Sequence, residues 1–371
     1  MPKIPFERVN WPTSIFLIST ALIAAVGVPL YIIAYGIDWF LAGMFFFYAV
    51  ATTMSITLGY HRLFSHLSFK AKWPVKFATL IFGACAFENS CLDWSADHRR
   101  HHKHCDHDDD PYDISKGFMW AHIGWLMFKL KPEPPMDNVA DLRKDSLVML
   151  QHKYVHWIGL IVGLILPAAI AYMVTPTWQY ALGGFLLAGV LRVVVVQHCT
   201  FFINSLCHTI GRQPYNTENS ARDSAIMAVF TCGEGYHNYH HAFQHDYRNG
   251  VKPWQFDPTK WMIWFLSKIG LASNLRRVSD EKILLAEMRE ARRQAERMRA
   301  MESETALCEK AMEVFNNFSQ RLSDSYNELE QAIAGKVDVS RKAMAQWQRE
   351  TREFVRHVAS MNRQLKSPAQ A

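Results

Sequence analysis

The chain has 371 residues, half of them hydrophobic, with 40 basic and 34 acidic side chains and a net charge of +6. Of its 74 charged residues, 31 fall between positions 280 and 371, so the first 279 positions keep only 43 and hold apolar runs of more than 20 residues. Runs of that length match a hydrocarbon core ~30 Å thick and exclude a simple soluble globular protein, while a small net charge without a dense basic stripe argues against a nucleic-acid partner.

In chain order, MPKIPFERVNWPTS lacks the short apolar region and small-residue cleavage site of a removable signal, so the first apolar run is expected to stay as an anchor. Membrane spans are expected near 14–37, 39–60, 154–174 and 178–200, as two closely spaced helical hairpins. The connections around Asp38 and at Thr175 to Gln179 carry no Lys or Arg, whereas Lys3, Arg8, Lys70, Lys72, Arg143 and Lys144 lie on the other side. The positive-inside rule then puts both termini in the cytoplasm, at the inner membrane if the cell is bacterial. Arg192 is the one cation in these spans, and it is expected near a helix end where it could snorkel.

Two further apolar stretches are less clear. Residues 73–92 contain Lys76, Glu88 and Asn89 and fall between two histidine clusters, which a fifth crossing would separate across the membrane; although hydropathy alone does not decide, the stretch is expected to lie in or against the cytoplasmic interface. Residues 254–271, rich in Trp with scattered Lys, suit an interfacial helix. From Asp280 onward the pattern is charged and helical, so the chain divides into a membrane domain, 1–279, and a soluble helical extension, 280–371. Phe315, Phe318, Leu322, Tyr326, Leu329 and Ile333 form a heptad-like stripe that either closes on the protein itself or mediates self-association, and Gly335 is expected to end it. Seven cysteines (85, 91, 105, 199, 207, 232 and 308), with no CxxC pair, read as reduced thiols.

The chemistry lies in the histidines. Eight of the 17 fall in three clusters, His61 and His66, His98, His101 and His102, and His237, His240 and His241. On a helix, positions i, i+3 and i+4 share a face, so the second and third clusters are each expected to aim three imidazoles at one point, while the i, i+5 pair converges only at a helix end. Eight or more imidazoles exceed one closed four-ligand site, so two metal ions are implied; imidazole suits iron, zinc, copper and nickel alike.

The segments GYHRLFSH, DHRRHHKH and GEGYHNYHH resemble the three histidine boxes of the membrane fatty acid desaturases, closest to the Δ9, stearoyl-CoA type. Similarity extends over about residues 14–279, including NSLCH, PYD and HAFQHDYR, and stops before the extension. The resemblance implies an all-α integral membrane protein in which four transmembrane helices carry a cytoplasmic helical cap around a di-iron site. It implies as ligands His61, His66, His98, His101, His102, His208, His237, His240 and His241, with Asn204 reaching a metal through water. Along the substrate tunnel it implies Trp94 and Thr200 at the bend of the acyl chain, Asn89 near the headgroup end, and Thr53 and Ala49 at the floor. These last two precede His61 by eight and twelve residues, or about 12 and 18 Å of helix rise. No ligand role falls to His104, His107, His122 or His245.

An unactivated methylene resists acid, base and nucleophilic attack, so O2 activated at a redox metal is the realistic route, and zinc could not serve. The implied reaction removes two hydrogens from a saturated fatty acyl-CoA to leave a cis alkene. Two positions depart from the animal relatives, Glu88 for glutamine and Ala96 for an arginine near the CoA phosphate, so a phospholipid- or carrier-linked chain stays open. No haem domain, iron-sulfur cluster or nucleotide loop is visible, so electrons must come from a separate ferredoxin, rubredoxin or cytochrome with its reductase. Rival readings are a di-iron hydroxylase or alkane monooxygenase on the same scaffold and, outside enzymes, a membrane metal transporter or sensor; almost uncharged spans disfavour the latter.

Overall fold

The computed structural model describes residues 6–130, 134–302 and 309–366, so Lys3 and Cys308 lie outside the described residues. Four helices are long and apolar enough to cross a membrane: α1 (Trp11–Tyr35), α2 (Trp39–Ser65), then, after two shorter helices, α5 (Ser146–Val174) and α6 (Trp178–His208). Their starts are set by local chemistry. Asp38 accepts the amide of Leu41 at 2.9 Å to open α2, Asp145 accepts that of Leu147 at 3.0 Å to open α5, and Thr177 accepts that of Tyr180 at 3.3 Å to open α6. Helices α2 and α6 run past the limits expected from hydropathy because apolarity ends at the first histidines while the backbone stays helical. Both therefore carry histidines at their ends.

The stretch 73–92 holds no helix long and apolar enough to cross a membrane. It forms α3 (Trp73–Ala84), whose 12 residues rise only about 18 Å, followed by a turn and α4 (Cys91–His104), capped by Ser90. A Cβ at Gly59 or Gly83 would collide with Thr79 or with the Tyr60 ring, so these two glycines allow α2 and α3 to pack closely. Two short helices complete the frame, α7 (His237–Ala242) and α8 (Pro258–Lys268). Helix α8 buries Thr259, Lys260 and Ile263 and exposes Trp261, Trp264 and Phe265, the two-faced pattern of an interfacial helix. A two-residue antiparallel ladder, Lys70 opposite Ser273 and Ala71 opposite Ala272, ties the chain after α2 to the chain after α8.

Arg192 does not snorkel. It lies inside α6, fully buried, with Nη1 donating to the Cys85 carbonyl, Nη2 to the Gly163 carbonyl at 2.6 Å and Nε to Ala188 at 3.0 Å. The cation is satisfied by carbonyls of the turn after α3 and of α5, which removes the need to reach water.

Two compact units are distinguished: residues 1–211 with 219–277, and residues 212–218 with 278–371. The second contains α9 (Asp280–Glu302), α10 (Glu309–Ala334) and α11 (Arg341–Lys366). Phe315, Leu322, Tyr326 and Leu329 of the heptad-like stripe are buried against Leu284, Met288, Trp347 and Phe354, so the stripe is consumed inside the three-helix unit. The loop 212–218 joins this unit through Thr217, which donates to Glu290 at 3.1 Å, and Glu218, which pairs with Arg293 at 2.7 Å.

Candidate metal centre

Nine imidazoles arrive from four helix ends. Helix α2 supplies His61 and, at its C-cap, His66; α4 supplies His98, His101 and His102; α6 ends at His208; α7 supplies His237, His240 and His241. A pair at i, i+5 lies about 140° apart on a regular α-helix. The last turns of α2 are widened, with the His66 amide bonding to the His61 carbonyl five residues back at 3.1 Å, which swings His66 toward His61. Their rings stand 4.8 Å apart.

The nine sort into two groups: His61, His66, His98, His102 and His240, and His101, His208, His237 and His241. The expectation that each of the second and third clusters points at one place is thus corrected. Positions i+3 and i+4 differ by about 100° around a helix, so His101 leaves its cluster for the second group and His240 leaves its own for the first. Within the groups the inward Nε2 atoms approach closely: His61 to His240 at 2.9 Å, His66 to His98 at 2.8 Å, His102 to His240 at 3.0 Å, His208 to His237 at 3.1 Å and His101 to His241 at 3.2 Å. Ligand nitrogens ~2.1 Å from a common ion stand about 3.0–3.4 Å from one another. The donors therefore fit two neighbouring ions, although imidazole alone does not select the metal.

Four of the rings have a polar partner behind their outer nitrogen, whereas Nδ1 of His237 and of His240 meets none among the described residues. His101 Nδ1 donates to Asp110 at 2.8 Å, His98 Nδ1 to the Tyr112 hydroxyl at 3.3 Å, His208 Nδ1 to Ser220 at 2.7 Å, and His61 Nδ1 lies 2.8 Å from Glu234. Such contacts fix the tautomer that turns the Nε2 lone pair inward. Burial raises the Glu234 carboxyl, but the Arg62 guanidinium and His61 outweigh it and hold Glu234 below its usual range. Burial first, then neighbouring imidazoles, pushes His66, His98, His102, His237, His240 and His241 well below the usual imidazole range, so they are neutral at pH 7 and free to ligate.

A cavity of about 650 Å³ opens on His61, His98 and His237. Phe16, Leu17, Ile56, Phe87 and Phe201 give it apolar walls, and Asp93, Asp97, Arg100 and Lys129 also line it. Trp94, Thr200, Asn89, Thr53 and Asn204 all face this cavity, whereas Ala49, one turn from Thr53, is not among its lining residues. The Trp94 ring stacks on His98 with centroids 4.7 Å apart. Of the histidines given no ligand role, His122 pairs with His198 and Ser205, and His245 donates to the His66 carbonyl at 2.9 Å; neither belongs to the two groups. Sequence reasoning missed the supporting shell. Glu234 and Asp110 were visible only as residues beside the histidine motifs, with nothing in their spacing to show which ring each would meet.

The fold and the site define a membrane-embedded helical protein with a polyhistidine metal site beside an apolar cavity. The fatty acid desaturase family model matches residues 10–267, and the chain belongs to this family. It is 42% identical over 254 residues to the "Probable acyl-CoA desaturase" of Schizosaccharomyces pombe, covering 68% of this chain and 52% of that protein. It is 41% identical over 241 residues to "Acyl-CoA desaturase 1" of Saccharomyces cerevisiae, covering 64% and 46%. With human "Stearoyl-CoA desaturase 5" it shares 34% identity over 253 residues, covering 67% and 74%. The chain thus spans about half the length of the two yeast relatives and about three quarters of the human one.

Proposed function

We propose that the protein is an O2-dependent desaturase that introduces a cis double bond, at the Δ9 position, into a saturated long-chain acyl-CoA, with two irons held by the nine histidines. The carrying observation is the contact between two polyimidazole groups and an apolar cavity, since removing hydrogen from a methylene requires a redox metal and a dry slot for the chain. Bound iron would supply the oxidising power of O2, which two external electrons, two protons and the two hydrogens taken from the chain reduce to two waters. The chain's own residues do the rest. The histidines hold the metals, and Asp110, Glu234, Tyr112 and Ser220 orient the histidines. The cavity walls exclude water, and Trp94 and Thr200 shape the bend beside His98. Asn204 on the same wall is assigned the water-mediated contact.

Three names of relatives that specify acyl-CoA or stearoyl-CoA support the thioester substrate. Charge asymmetry of the loops supports both termini and the site on the cytoplasmic side, where a separate ferredoxin, rubredoxin or cytochrome delivers electrons. The extension 280–371 is assigned a role apart from the chemistry; self-association through it would use faces other than its apolar stripe. The test is expression in a host lacking its own desaturase, followed by double-bond mapping of total fatty acids. New cis-monounsaturated chains are expected; hydroxylated chains instead would replace this reading by that of a hydroxylase.

A further inference from the structure

Between α3 and α4 the chain makes a turn that α6 holds by its carbonyls. Arg192 donates to Cys85, and Gln197 Nε2 donates to Ala86 at 3.0 Å and to Phe87 at 3.2 Å. Phe87 and Asn89 both take left-handed backbone conformations, with φ of 55° and 67°, which non-glycine residues adopt at a cost. The residue between them is Glu88. This clamped, strained turn places Glu88 on the cavity wall, where Trp94 Nε1 donates to its Oε2 at 3.3 Å. Its other oxygen, Oε1, is sealed from solvent and has no well-aligned hydrogen-bond partner among the described residues, Thr200 being the nearby hydroxyl.

We propose that Glu88 is a positioning residue of the acyl cavity that works as the neutral carboxylic acid, holding Trp94 at the bend, and that its ionisation weakens binding of the apolar chain. This rests on the reading of the cavity as the acyl site. A carboxylate here would be a largely desolvated charge without a paired cation. Glu88 makes no ion pair among the described residues, and the polar neighbours are Trp94 and Thr200. Other titratable groups from the packed elements are Tyr60 and His61 on α2, Asp93 and Asp97 on α4 and Cys199 on α6, none of which is a permanent cation. Arg100 and Lys129 line the same cavity without pairing with Glu88. Burial pushes the carboxyl up to about 8, so the acid is neutral at pH 7 and ionises in mild alkali. An apolar chain laid against it excludes further water and favours the neutral form; by linkage, the neutral form binds the chain more tightly.

The experiment is equilibrium binding of stearoyl-CoA to the full-length protein in lipid nanodiscs between pH 6.5 and 9.5, for the wild type and for Glu88→Gln. One pH unit above the carboxyl's midpoint only about a tenth of the protein is neutral, so wild-type affinity should fall about tenfold between pH 7 and pH 9. Glu88→Gln, uncharged and of the same shape, should lack that fall, its affinity staying level between pH 7 and pH 9. Equal pH slopes in the two proteins overturn the proposal. Absence of stearoyl-CoA binding by both at every pH overturns the acyl-site reading instead. Should Glu88→Gln not fold, Asp97→Asn decides through the infrared carbonyl band of a buried protonated carboxyl, since burial also pushes Asp97 up to about 7 and its band would overlap: present at pH 7 and lost by pH 9.5 is expected, and no such band at pH 7 refutes the idea.

Discussion

Asp110→Asn isolates the contribution of the residues behind the imidazoles. Asp110 is buried and meets His101 Nδ1 with both oxygens, at 2.8 and 2.9 Å, while also accepting the amides of Asp106 and Tyr112, each at 3.1 Å. Asparagine keeps one carbonyl oxygen for those amides but brings an NH2 that cannot accept from His101. The ring then loses its anchor and the carboxylate behind it. Losses of this kind typically weaken metal binding about 10–100-fold, which at about 1.4 kcal/mol per tenfold is about 1.4–2.8 kcal/mol. Glu234 is a poorer choice, because Arg62 at 2.8 Å and Asn249 at 2.6 Å also depend on it, so its loss would disturb packing as well. The assay is metal retention by purified protein in a chelator titration, with Asp113→Asn as comparator, since Asp113 caps only its own turn through the Ser115 amide at 2.8 Å. Retention in Asp110→Asn equal to that in Asp113→Asn would refute the role given to the Asp110–His101 contact.

His241→Ala should abolish desaturation and lower metal content below the expected two per chain while membrane insertion persists; full activity with two metals bound contradicts the ligand set. Arg192→Met removes the donor to the buried Cys85 carbonyl and should destabilise the protein by about 1–3 kcal/mol, seen as a lower thermal midpoint in detergent; an unchanged midpoint would show that other groups satisfy that carbonyl. Truncation after Ser279 should retain desaturase activity in membranes, because every candidate ligand precedes position 242; complete loss in well-inserted protein would give the extension a part in the reaction. Thr53→Trp fills a cavity-lining position about 12 Å along α2 from His61, so product chains should shorten without a shift in double-bond position. An unchanged length profile by gas chromatography places the floor elsewhere.

What the sequence made legible follows from periodicity. Four helices were readable because 20 consecutive apolar residues have few other uses, and eight of the histidines because they fall in three tight clusters, while His208 was indicated only by the family resemblance. Their division into two groups was not readable. It depends on α2 widening at its end and on where α7 meets α4, and both are tertiary outcomes. Arg192 was misplaced for a related reason: hydropathy scores a cation in a span as a residue seeking water, while its partners are carbonyls of the Cys85 turn and of Gly163, distant in sequence.

The same clamp explains why a costly buried cation sits where it does. Arg192 and Gln197 are five residues apart on α6, and between them they fix three successive carbonyls, those of Cys85, Ala86 and Phe87. Three residues beyond Gln197, the same helix places Thr200 on the cavity wall, and the turn it clamps leads directly into Ser90, the cap of α4. The position of Trp94 and His98 along α4 is therefore set by polar contacts made inside the apolar part of the molecule. Apolar packing alone is non-directional and would leave that register soft. Hydrogen bonds to a charged group are directional and stronger than neutral ones, so the buried arginine contributes positional definition where the cavity and the histidines meet.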